Sequence, residues 1–273
     1  MQIQDYHQYL EPVIRLAKSA GEAIMQIYAT DFDVTKKEDN SPLTQADLAA
    51  HNVIVTGLKK LTPNIPVLSE ESESIDAEIR NGWQQYWLID PLDGTREFVK
   101  RNGEFTVNIA LVIKHAPVLG VVYAPVNALL YFAAIGSGAY KCIESNSALR
   151  IHTRPFDIKK LVVAGSRSHS DHNFQRFLHN IHVGTGAIPE LISMGSSLKI
   201  CLVAEGVADV YPRLGPTCEW DTAAAHCILL EAGGDILDEE GNTLGYNTKH
   251  SLLNPKFFAT SKSLQRWDSY LQP

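Results

Sequence analysis

Two aspartates lie three residues apart in the segment WLIDPLDGTREF, which runs from Trp87 to Phe98. The hydrophobic residues before Asp90 predict a buried strand, so Asp90 and Asp93 would lie at its inner end. One interpretation is a plain turn, because aspartate, proline and glycine all favour turns. The other is a site for a hard metal ion, completed by the Leu92 carbonyl. Two carboxylates at a buried rim would repel each other without a cation, which favours the metal site.

Three further acids end a predicted strand or begin a predicted helix. They are Asp47 in LTQADLAA, Glu70 in PVLSEES and Asp221 in CEWDTAAAH. Each has a simpler interpretation: Asp47 has the spacing of a capping box with Thr44, Asp221 could be a helix N-cap, and Glu70 could be a solvated strand end. Beside the aspartate pair, they would instead form an all-oxygen site, which suits Mg²⁺ or Mn²⁺ rather than zinc.

Several positions could bind an anion. Gly94 and Thr95 precede a predicted helix, whose first N–H groups and dipole attract phosphate. Metal ions beside such amides suggest metal-assisted hydrolysis of a phosphate ester. Ser196 and Lys199 open another predicted helix in MGSSLKICL, and Arg213 ends an apolar strand in ADVYPR. These three residues could equally be a helix cap, a solvated lysine and a surface ion-pair partner.

Composition and charge narrow the class of protein. The 273 residues are 45% hydrophobic and 20% charged, which predicts a globular chain with a sizeable core. A formal net charge of −7 argues against a nucleic-acid partner, although local cations can still bind a small anionic substrate. The sequence has no signal peptide and no apolar run of about 18 residues, so no transmembrane segment is expected. Four scattered cysteines indicate reduced thiols in the cytoplasm.

Two other phosphate-handling motifs are excluded. There is no G-x-x-x-x-G-K-[ST] segment, so a P-loop is absent. Haloacid-dehalogenase-type phosphatases need two aspartates separated by one residue, and Leu92 occupies the second of those places. We therefore expect direct attack by water rather than an aspartyl-phosphate intermediate.

The predicted elements place these residues in an α/β protein. Apolar residues at helical spacing predict helices over 5–28 and 40–61. YWLID, FTVNIALVI, VLGVVYAP and LLYFAAIG predict successive, mainly antiparallel strands, and GSGAYKC is expected to interrupt them. HTRPFDI, at 152–158, is the best linker. We expect an α+β half over 1–152 and a half over 153–273 in which strands and helices alternate.

Three segments together resemble the inositol monophosphatase family of Mg²⁺-dependent, lithium-sensitive phosphatases. WLIDPLDGTREF is similar to its W-x-x-D-P-[IL]-D-G-T-x-x-F signature, EWDTAAAHCILLEAGG to its second signature, and SEES to its acidic pair. The segments KRNGEFTVNIALV and GSSLKICLVAEGVADVYPRLGPTCEWDTAA resemble the CysQ-type 3′(2′),5′-bisphosphate nucleotidase branch. Arg96, Ala225 and the Cys218-Glu219 pair depart from the common pattern, but none is a proposed ligand.

The resemblance implies a layered αβαβα sandwich of the lithium-sensitive sugar-phosphatase type. It implies two or three Mg²⁺ ions, with Mn²⁺ as an alternative, and a water activated by Asp47, Glu70 and Thr95. The implied metal ligands are Glu70, Asp90, the carbonyl of Leu92, Asp93 and Asp221. The implied substrate-binding residues are Gly94, Thr95, His169, Ser196, Lys199, Arg213 and Asp221.

The implied reaction is the hydrolysis of adenosine 3′,5′-bisphosphate to AMP and phosphate in sulfate assimilation, with 3′-phosphoadenosine 5′-phosphosulfate as a further substrate. The alternative is an inositol 1-phosphate or other sugar phosphatase, against which Lys199 and Arg213 argue, because such a substrate has no second phosphate. A nucleotide sensor without turnover would not need Asp47, Glu70 and Thr95. The resemblance leaves monomer and homodimer open. It implies a cytoplasmic protein, with peripheral attachment to the inner membrane known in some relatives.

Overall fold

The structure is a computed structural model that describes residues 6–31, 34–36, 42–72, 75–144, 146–166, 172–262 and 266–271. The α-helices are α1 (His7–Tyr28), α2 (Gln45–Leu61), α3 (Ala77–Asn81), α4 (Thr95–Val99), α5 (His172–Thr185), α6 (Leu198–Ala204) and α7 (Glu219–Glu231). The strands are β1 (Val34–Lys36), β2 (Pro42–Thr44), β3 (Val67–Ser69), β4 (Gln85–Asp93), β5 (Thr106–Ile113), β6 (Ala116–Ala124), β7 (Leu129–Ala134), β8 (Gly138–Ile143), β9 (Leu149–Ile151), β10 (Val162–Gly165), β11 (Glu190–Ser193), β12 (Val210–Arg213), β13 (Gly234–Asp238) and β14 (Phe257–Ser261).

The first half is built on a seven-stranded sheet in the order β3-β4-β5-β6-β7-β8-β9. Only the β3–β4 pair is parallel, which confirms the expected antiparallel run. The expected interruption at GSGAYKC is wrong, because β8 begins at Gly138. Gly136 lies in the turn before the strand and Gly138 begins it, with φ of 79° and 81°, a conformation that glycine adopts without a Cβ clash.

The second half contains a five-stranded mixed sheet in the order β11-β10-β12-β14-β13. Strands β10, β12 and β13 coincide with the expected LVVAGS, ADVYPR and DILD segments. The sequence analysis did not anticipate β11 or β14. Strand β11 lies at the sheet edge and is largely exposed, so it lacks an apolar pattern, whereas β14 is buried throughout.

The helices and sheets stack in five layers. On β4, Trp87 and Ile89 face α1 and α2, whereas Tyr86 and Leu88 face the interior that contains α6 and α7. Alternate strand residues point to opposite faces, so this sheet is apolar on both sides. Helices α6 and α7 also pack on the five-stranded sheet, whose other face is covered by α5. The expected αβαβα sandwich is confirmed.

The two halves share one hydrophobic core. The segment at 152–157 has no regular secondary structure, in keeping with the expected linker. The central core cluster nevertheless combines side chains from both sides of it, such as Leu88 and Val122 with Val203 and Ile228. The division into halves at 152/153 stays a prediction. Among the described residues, none of the helices has the length and apolar character needed to cross a membrane.

Candidate active site

A bulge in β4 brings Asp90 and Asp93 together. Residues three apart on a regular strand point to opposite faces. Here Asp90 pairs with Asn108 and Asp93 with Thr106 on β5, so the register shifts between the two aspartates. A bulge re-aims side chains in this way. The segment is therefore a bulged strand rather than the plain turn considered above, and the chain turns at Gly94, where φ is 91°.

Helix α7 brings a third carboxylate to the same place. Ligand oxygens of Asp90, Asp93 and Asp221 all lie within 4.8 Å of one another. The N-cap interpretation of Asp221 is wrong, because Cys218 is the N-cap and Asp221 is the third helical residue. The Asp221 carboxylate accepts a hydrogen bond from the Cys218 N–H at 2.9 Å, which fixes one of its oxygens.

Glu70 lies beside this cluster, directly after β3. Its backbone N–H donates to the Ile89 carbonyl at 3.1 Å, which continues the parallel β3–β4 pairing up to Asp90. Glu70 is not one of the three mutually close ligands, but it is near enough to raise the pKa of Asp90. The structure therefore assembles four acids from three separate segments, as the sequence analysis expected.

Burial and mutual repulsion raise the pKa values of the three aspartates. Burial, followed by the charges of Glu70, Asp93 and Asp221, raises the pKa of Asp90 well above its ordinary value. Burial also raises the pKa of Asp221 to about 8, and the charge of Asp93 adds to that effect. Burial raises the pKa of Asp93 to about 6, although the charge of Lys199 opposes the increase. Carboxylates that are costly to ionise together are typical of a cation site.

The donor set fits a hard divalent cation. The side-chain ligands are all carboxylate oxygens, and the Leu92 carbonyl, which lies 3.3 Å from Thr95 Oγ1, belongs to the bulged segment between Asp90 and Asp93. The Leu92 N–H donates to Asp90 Oδ1 at 3.0 Å and orients that carboxylate. Oxygen ligands of this kind suit Mg²⁺ or Mn²⁺. The described residues thus form an acidic cluster able to hold a metal ion.

Asp47 forms the capping box that its spacing predicted and also contacts Thr95. Its Oδ2 accepts from the Thr44 N–H at 2.8 Å and from the Thr44 hydroxyl at 2.7 Å, which makes a capping box at the start of α2. Its Oδ1 accepts from the Thr95 hydroxyl at 3.2 Å. Helix α2 starts at Gln45, later than the expected 40–61 segment, because Thr44 is extended and ends β2.

A cavity of about 110 Å³ adjoins the acids. Its lining combines two acids, Asp93 and Asp221, with two cations, Lys199 and Arg213. Lys199 is not the solvated lysine of the simpler interpretation, because only 5% of it is exposed. Its Nζ donates to the Ser196 carbonyl at 2.6 Å and lies 5.3 Å from the Tyr211 ring centroid. Burial lowers the pKa of Lys199 to about 8, although Asp93 opposes this decrease.

Arg213 lines the same cavity. Among the described residues, its Nε atom has no carboxylate partner. One of its terminal nitrogens donates to the Pro216 carbonyl at 2.7 Å. Its Nε is buried and, within the described part of the chain, has no hydrogen-bond partner. A guanidinium with a buried, unused donor beside a cavity is suited to an anionic ligand.

Comparison with known proteins shows the family to which this chain belongs. A model of the inositol monophosphatase family matches residues 5–268. The chain belongs to the inositol monophosphatase family. It is 50% identical over 253 residues to the 3′(2′),5′-bisphosphate nucleotidase CysQ of Salmonella typhimurium, covering 92% of this chain and 99% of that protein. It is 49% identical over 250 residues to the protein of the same name from Escherichia coli, covering 91% and 98%.

A solved structure of this family supports the same assignment. The crystal structure of CysQ from Bacteroides thetaiotaomicron, described as a bacterial member of the inositol monophosphatase family, has 44% sequence identity with this chain. The two superpose with a TM-score of 0.82 over 95% of this chain and 99% of that one. The family assignment and the fold expected from the sequence motifs are both confirmed.

In this member of the inositol monophosphatase family, three polar residues that the sequence analysis did not name as site residues support Asp93, two of them by direct contact and the third through those two. The Ser197 N–H donates to Asp93 Oδ2 at 2.6 Å, and Asn108 Nδ2 donates to the same oxygen at 3.4 Å. The Ser197 hydroxyl lies 3.0 Å from that of Thr106 and donates to Asn108 Oδ1 at 2.9 Å. Thr106 and Asn108 are polar residues two apart in the otherwise apolar strand β5, which was the available signal.

Of the remaining expected site residues, the structure describes Gly94, Thr95 and Ser196 but not His169. Gly94 and Ser196 line the cavity, and Thr95, the residue after Gly94, contacts Asp47 and Leu92. Ser196 adopts φ of 49°, an uncommon value for serine, at the turn into α6. His169 lies outside the described residues, so its expected contact with substrate stays a prediction.

Proposed function

We propose that this protein is a Mg²⁺-dependent phosphatase that hydrolyses the 3′-phosphate of adenosine 3′,5′-bisphosphate to give AMP and phosphate. The observation that carries the proposal is the cavity whose lining contains both the cations Lys199 and Arg213 and the carboxylates Asp93 and Asp221. Such a cavity suits a ligand with two phosphates, one at the acids and one at the cations. The names of the Salmonella and Escherichia relatives support the same substrate class.

The metal part of the proposal assigns ligands to two or three Mg²⁺ ions, with Mn²⁺ as an alternative. The ligands would be Glu70, Asp90, the carbonyl of Leu92, Asp93 and Asp221. When bound, the ions would lower the pKa of a coordinated water and neutralise phosphate oxygens. Raised carboxylate pKa values and the all-oxygen donor set support this assignment.

Thr95, Asp47 and Glu70 would prepare the attacking water. The Thr95 hydroxyl shares its one proton between Asp47 Oδ1 and the Leu92 carbonyl, at 3.2 and 3.3 Å, so its oxygen lone pairs remain available to accept a hydrogen bond from water. The capping contacts from Thr44 hold Asp47 in place as the eventual proton acceptor. Glu70 would orient the same water from the opposite side. The attack forms a bond from water oxygen to phosphorus and breaks the bond from phosphorus to the 3′-oxygen.

Lys199 and Arg213 would bind the 5′-phosphate and thereby orient the reacting group. Binding energy at a remote phosphate contributes to catalysis by fixing the reacting phosphorus in position. The N–H groups of Gly94 and Thr95, together with Ser196 and His169, are the further proposed contacts. In 3′-phosphoadenosine 5′-phosphosulfate the same cations would meet a phosphosulfate, so that nucleotide is a second proposed substrate. A cytoplasmic location is part of this proposal.

One side-by-side assay tests the function. Phosphate release would be measured from adenosine 3′,5′-bisphosphate, 3′-phosphoadenosine 5′-phosphosulfate, AMP and inositol 1-phosphate, with Mg²⁺, with EDTA and with added Li⁺. We expect rapid release from the bisphosphate only with Mg²⁺, inhibition by Li⁺, and accumulation of AMP. Faster release from inositol 1-phosphate would favour a sugar phosphatase, and release from none of the four would contradict the proposal.

A further inference from the structure

A chain of polar side chains runs behind α7 and ends next to the metal-site carboxylate. Asp235 Oδ1 lies 2.9 Å from His226 Nε2, and His226 Nδ1 lies 2.9 Å from the Tyr246 hydroxyl. That hydroxyl donates to Thr222 Oγ1 at 3.3 Å. Thr222 is adjacent to Asp221 and lines the cavity. The chain therefore connects β13, outside the cavity, to the first turn of α7.

His226 itself has no access to substrate or to a metal ion. It is completely buried, and both ring nitrogens are occupied by Asp235 and Tyr246. A buried polar group lowers stability unless it is hydrogen-bonded, whereas an apolar residue at this position would need no hydrogen-bond partners. The contacts at its two nitrogens point to a positioning role.

The packing of α7 explains why it needs such positioning. The buried residues of α7 include three consecutive alanines, Ala223–Ala225, which offer little side-chain interlocking. The helix lies so close to β6 that a Cβ on Gly120 would come within 2.1 Å of the Ala224 carbonyl oxygen. This contact limits how closely the helix approaches the sheet, but alanine methyl groups resist rotation about the helix axis only weakly. The hydrogen bonds of the polar chain are directional, so they can fix the rotation of the helix at Thr222.

A second contact closes the same turn. Asn254 Nδ2 donates to the Cys218 carbonyl at 2.7 Å and lies 3.2 Å from Thr222 Oγ1. Cys218 in turn donates its N–H to the Asp221 carboxylate. Tyr246 and Asn254 thus hold the Thr222 side chain by hydrogen bonds, and the N-cap residue Cys218 holds the Asp221 carboxylate.

We propose that the Asp235–His226–Tyr246 chain positions Thr222, and through it the Asp221 carboxylate, so that His226 and Tyr246 are positioning residues for the metal site. The inference rests on the proposed function, because that proposal makes Asp221 a metal ligand. Residues that orient metal ligands change metal affinity by about 10–100-fold when they are replaced.

Tyr246→Phe is the main test, because it removes one hydroxyl and keeps the ring. We expect the half-saturating Mg²⁺ concentration for phosphate release to rise about 10-fold, with the KM for nucleotide at saturating Mg²⁺ unchanged. In metal-free protein, hydrogen exchange of the amides of residues 219–222 should become faster. The second readout needs neither metal nor substrate.

His226 offers a matched pair of variants. An Asn side chain can place its amide near the Nδ1 position, towards Tyr246, whereas a Gln side chain reaches the Nε2 position, towards Asp235. We expect His226→Asn to retain more Mg²⁺ affinity than His226→Gln. Thr62→Val is the control for lost stability, because it removes a buried hydrogen bond from Trp87 at 2.8 Å on the face of the seven-stranded sheet opposite to α7.

The outcomes separate this inference from the proposed function. Unchanged Mg²⁺ dependence in Tyr246→Phe, or a change equal to that of Thr62→Val, would overturn the positioning role. Unaffected hydrogen exchange at 219–222 would overturn it as well. If the parent protein releases no phosphate from the nucleotide, the proposed function fails, whereas Mg²⁺ binding by calorimetry and the exchange rates still decide the role of the chain. If the His226 variants do not fold, Tyr246→Phe decides alone.

Discussion

The Thr95 hydroxyl donates to Asp47 Oδ1 at 3.2 Å, which joins the start of α4 to the start of α2 across 48 residues of chain. The other oxygen of Asp47 is committed to the Thr44 cap. One carboxylate therefore fixes a helix terminus and a hydroxyl in the candidate active site at the same time. A change to Thr95 can remove the second contact and leave the first intact.

Thr95→Val tests the role of that hydroxyl. Valine has nearly the same shape but cannot donate to Asp47 or accept from water. We expect kcat for phosphate release to fall at least about 100-fold, with little change in the KM for the bisphosphate, because a group that acts in proton transfer contributes to kcat. Thr95→Ser should recover most of the activity. A valine variant with the parent kcat would remove Thr95 from the mechanism.

Asp93→Asn tests the metal site. The amide keeps the shape of the side chain but removes the charge from a residue held by Ser197 and Asn108. We expect phosphate release to be lost and Mg²⁺ binding by calorimetry to weaken about 10-fold or more, with an unchanged circular dichroism spectrum. Asp157→Asn, at an exposed cap distant in sequence from the cluster, should behave like the parent. Parent-like activity in Asp93→Asn would show that the metal assignment is wrong.

Lys199→Met tests the recognition of the second phosphate. Methionine fills much of the lysine volume without the charge that faces the cavity. We expect KM for adenosine 3′,5′-bisphosphate to rise about 100-fold, because a buried charge-assisted contact is lost, and KM for a monophosphate such as 3′-AMP to change much less. Lys159→Met, which replaces an exposed lysine, is the control. Equal changes in KM for the two substrates would rule out the distal-phosphate role.

The stability of metal-free protein should depend on pH in a direction set by the aspartates. The pKa values of Asp90, Asp93 and Asp221 are raised in the folded protein, so it binds more protons than the unfolded chain between about pH 4 and pH 8. Unfolding should therefore become easier as pH rises through this window. The lowered pKa of Lys199 acts above about pH 8 and does not affect the comparison.

Calorimetric unfolding in EDTA would measure this effect. We expect Tm to decrease from about pH 5 to about pH 8, and saturating Mg²⁺ to remove most of that decrease, because the ion takes the place of the protons. Mg²⁺ binding near neutral pH should also release protons, which titrations in two buffers of different ionisation enthalpy would detect. A Tm that rises over the same window without metal would contradict the proposed electrostatics.

The sequence was most informative where local pattern and chemistry coincide. The strand before Asp90, the helix at Thr95 and the capping box at Asp47 all depend on neighbouring residues, and each was anticipated. The β4 bulge was not, because it arises from the pairing of Asp90 with Asn108 and of Asp93 with Thr106 on another strand. The third helical position of Asp221 was missed because the N-cap is Cys218, and cysteine is an unusual N-cap.

The contacts that support the site were the least predictable part. Ser197 reaches Asp93 across 104 residues, and Tyr246 reaches Thr222 across 24. Neither pair has a spacing that indicates contact, so only the folded arrangement of both halves reveals them. Strand β11 was missed because its exposed edge position gives it no hydrophobic pattern.

The proposed ligands of the metal site come from both halves of the chain, and this has a consequence during protein synthesis. The seven-stranded sheet is complete once residue 151 has emerged from the ribosome, and it already contains Glu70, Asp90 and Asp93. Asp221 arrives only with α7, which must enter between the two sheets. A nascent chain that has made the first sheet would therefore be folded in part but unable to form the full cation site. Tight Mg²⁺ binding would mark the moment at which the second half docks.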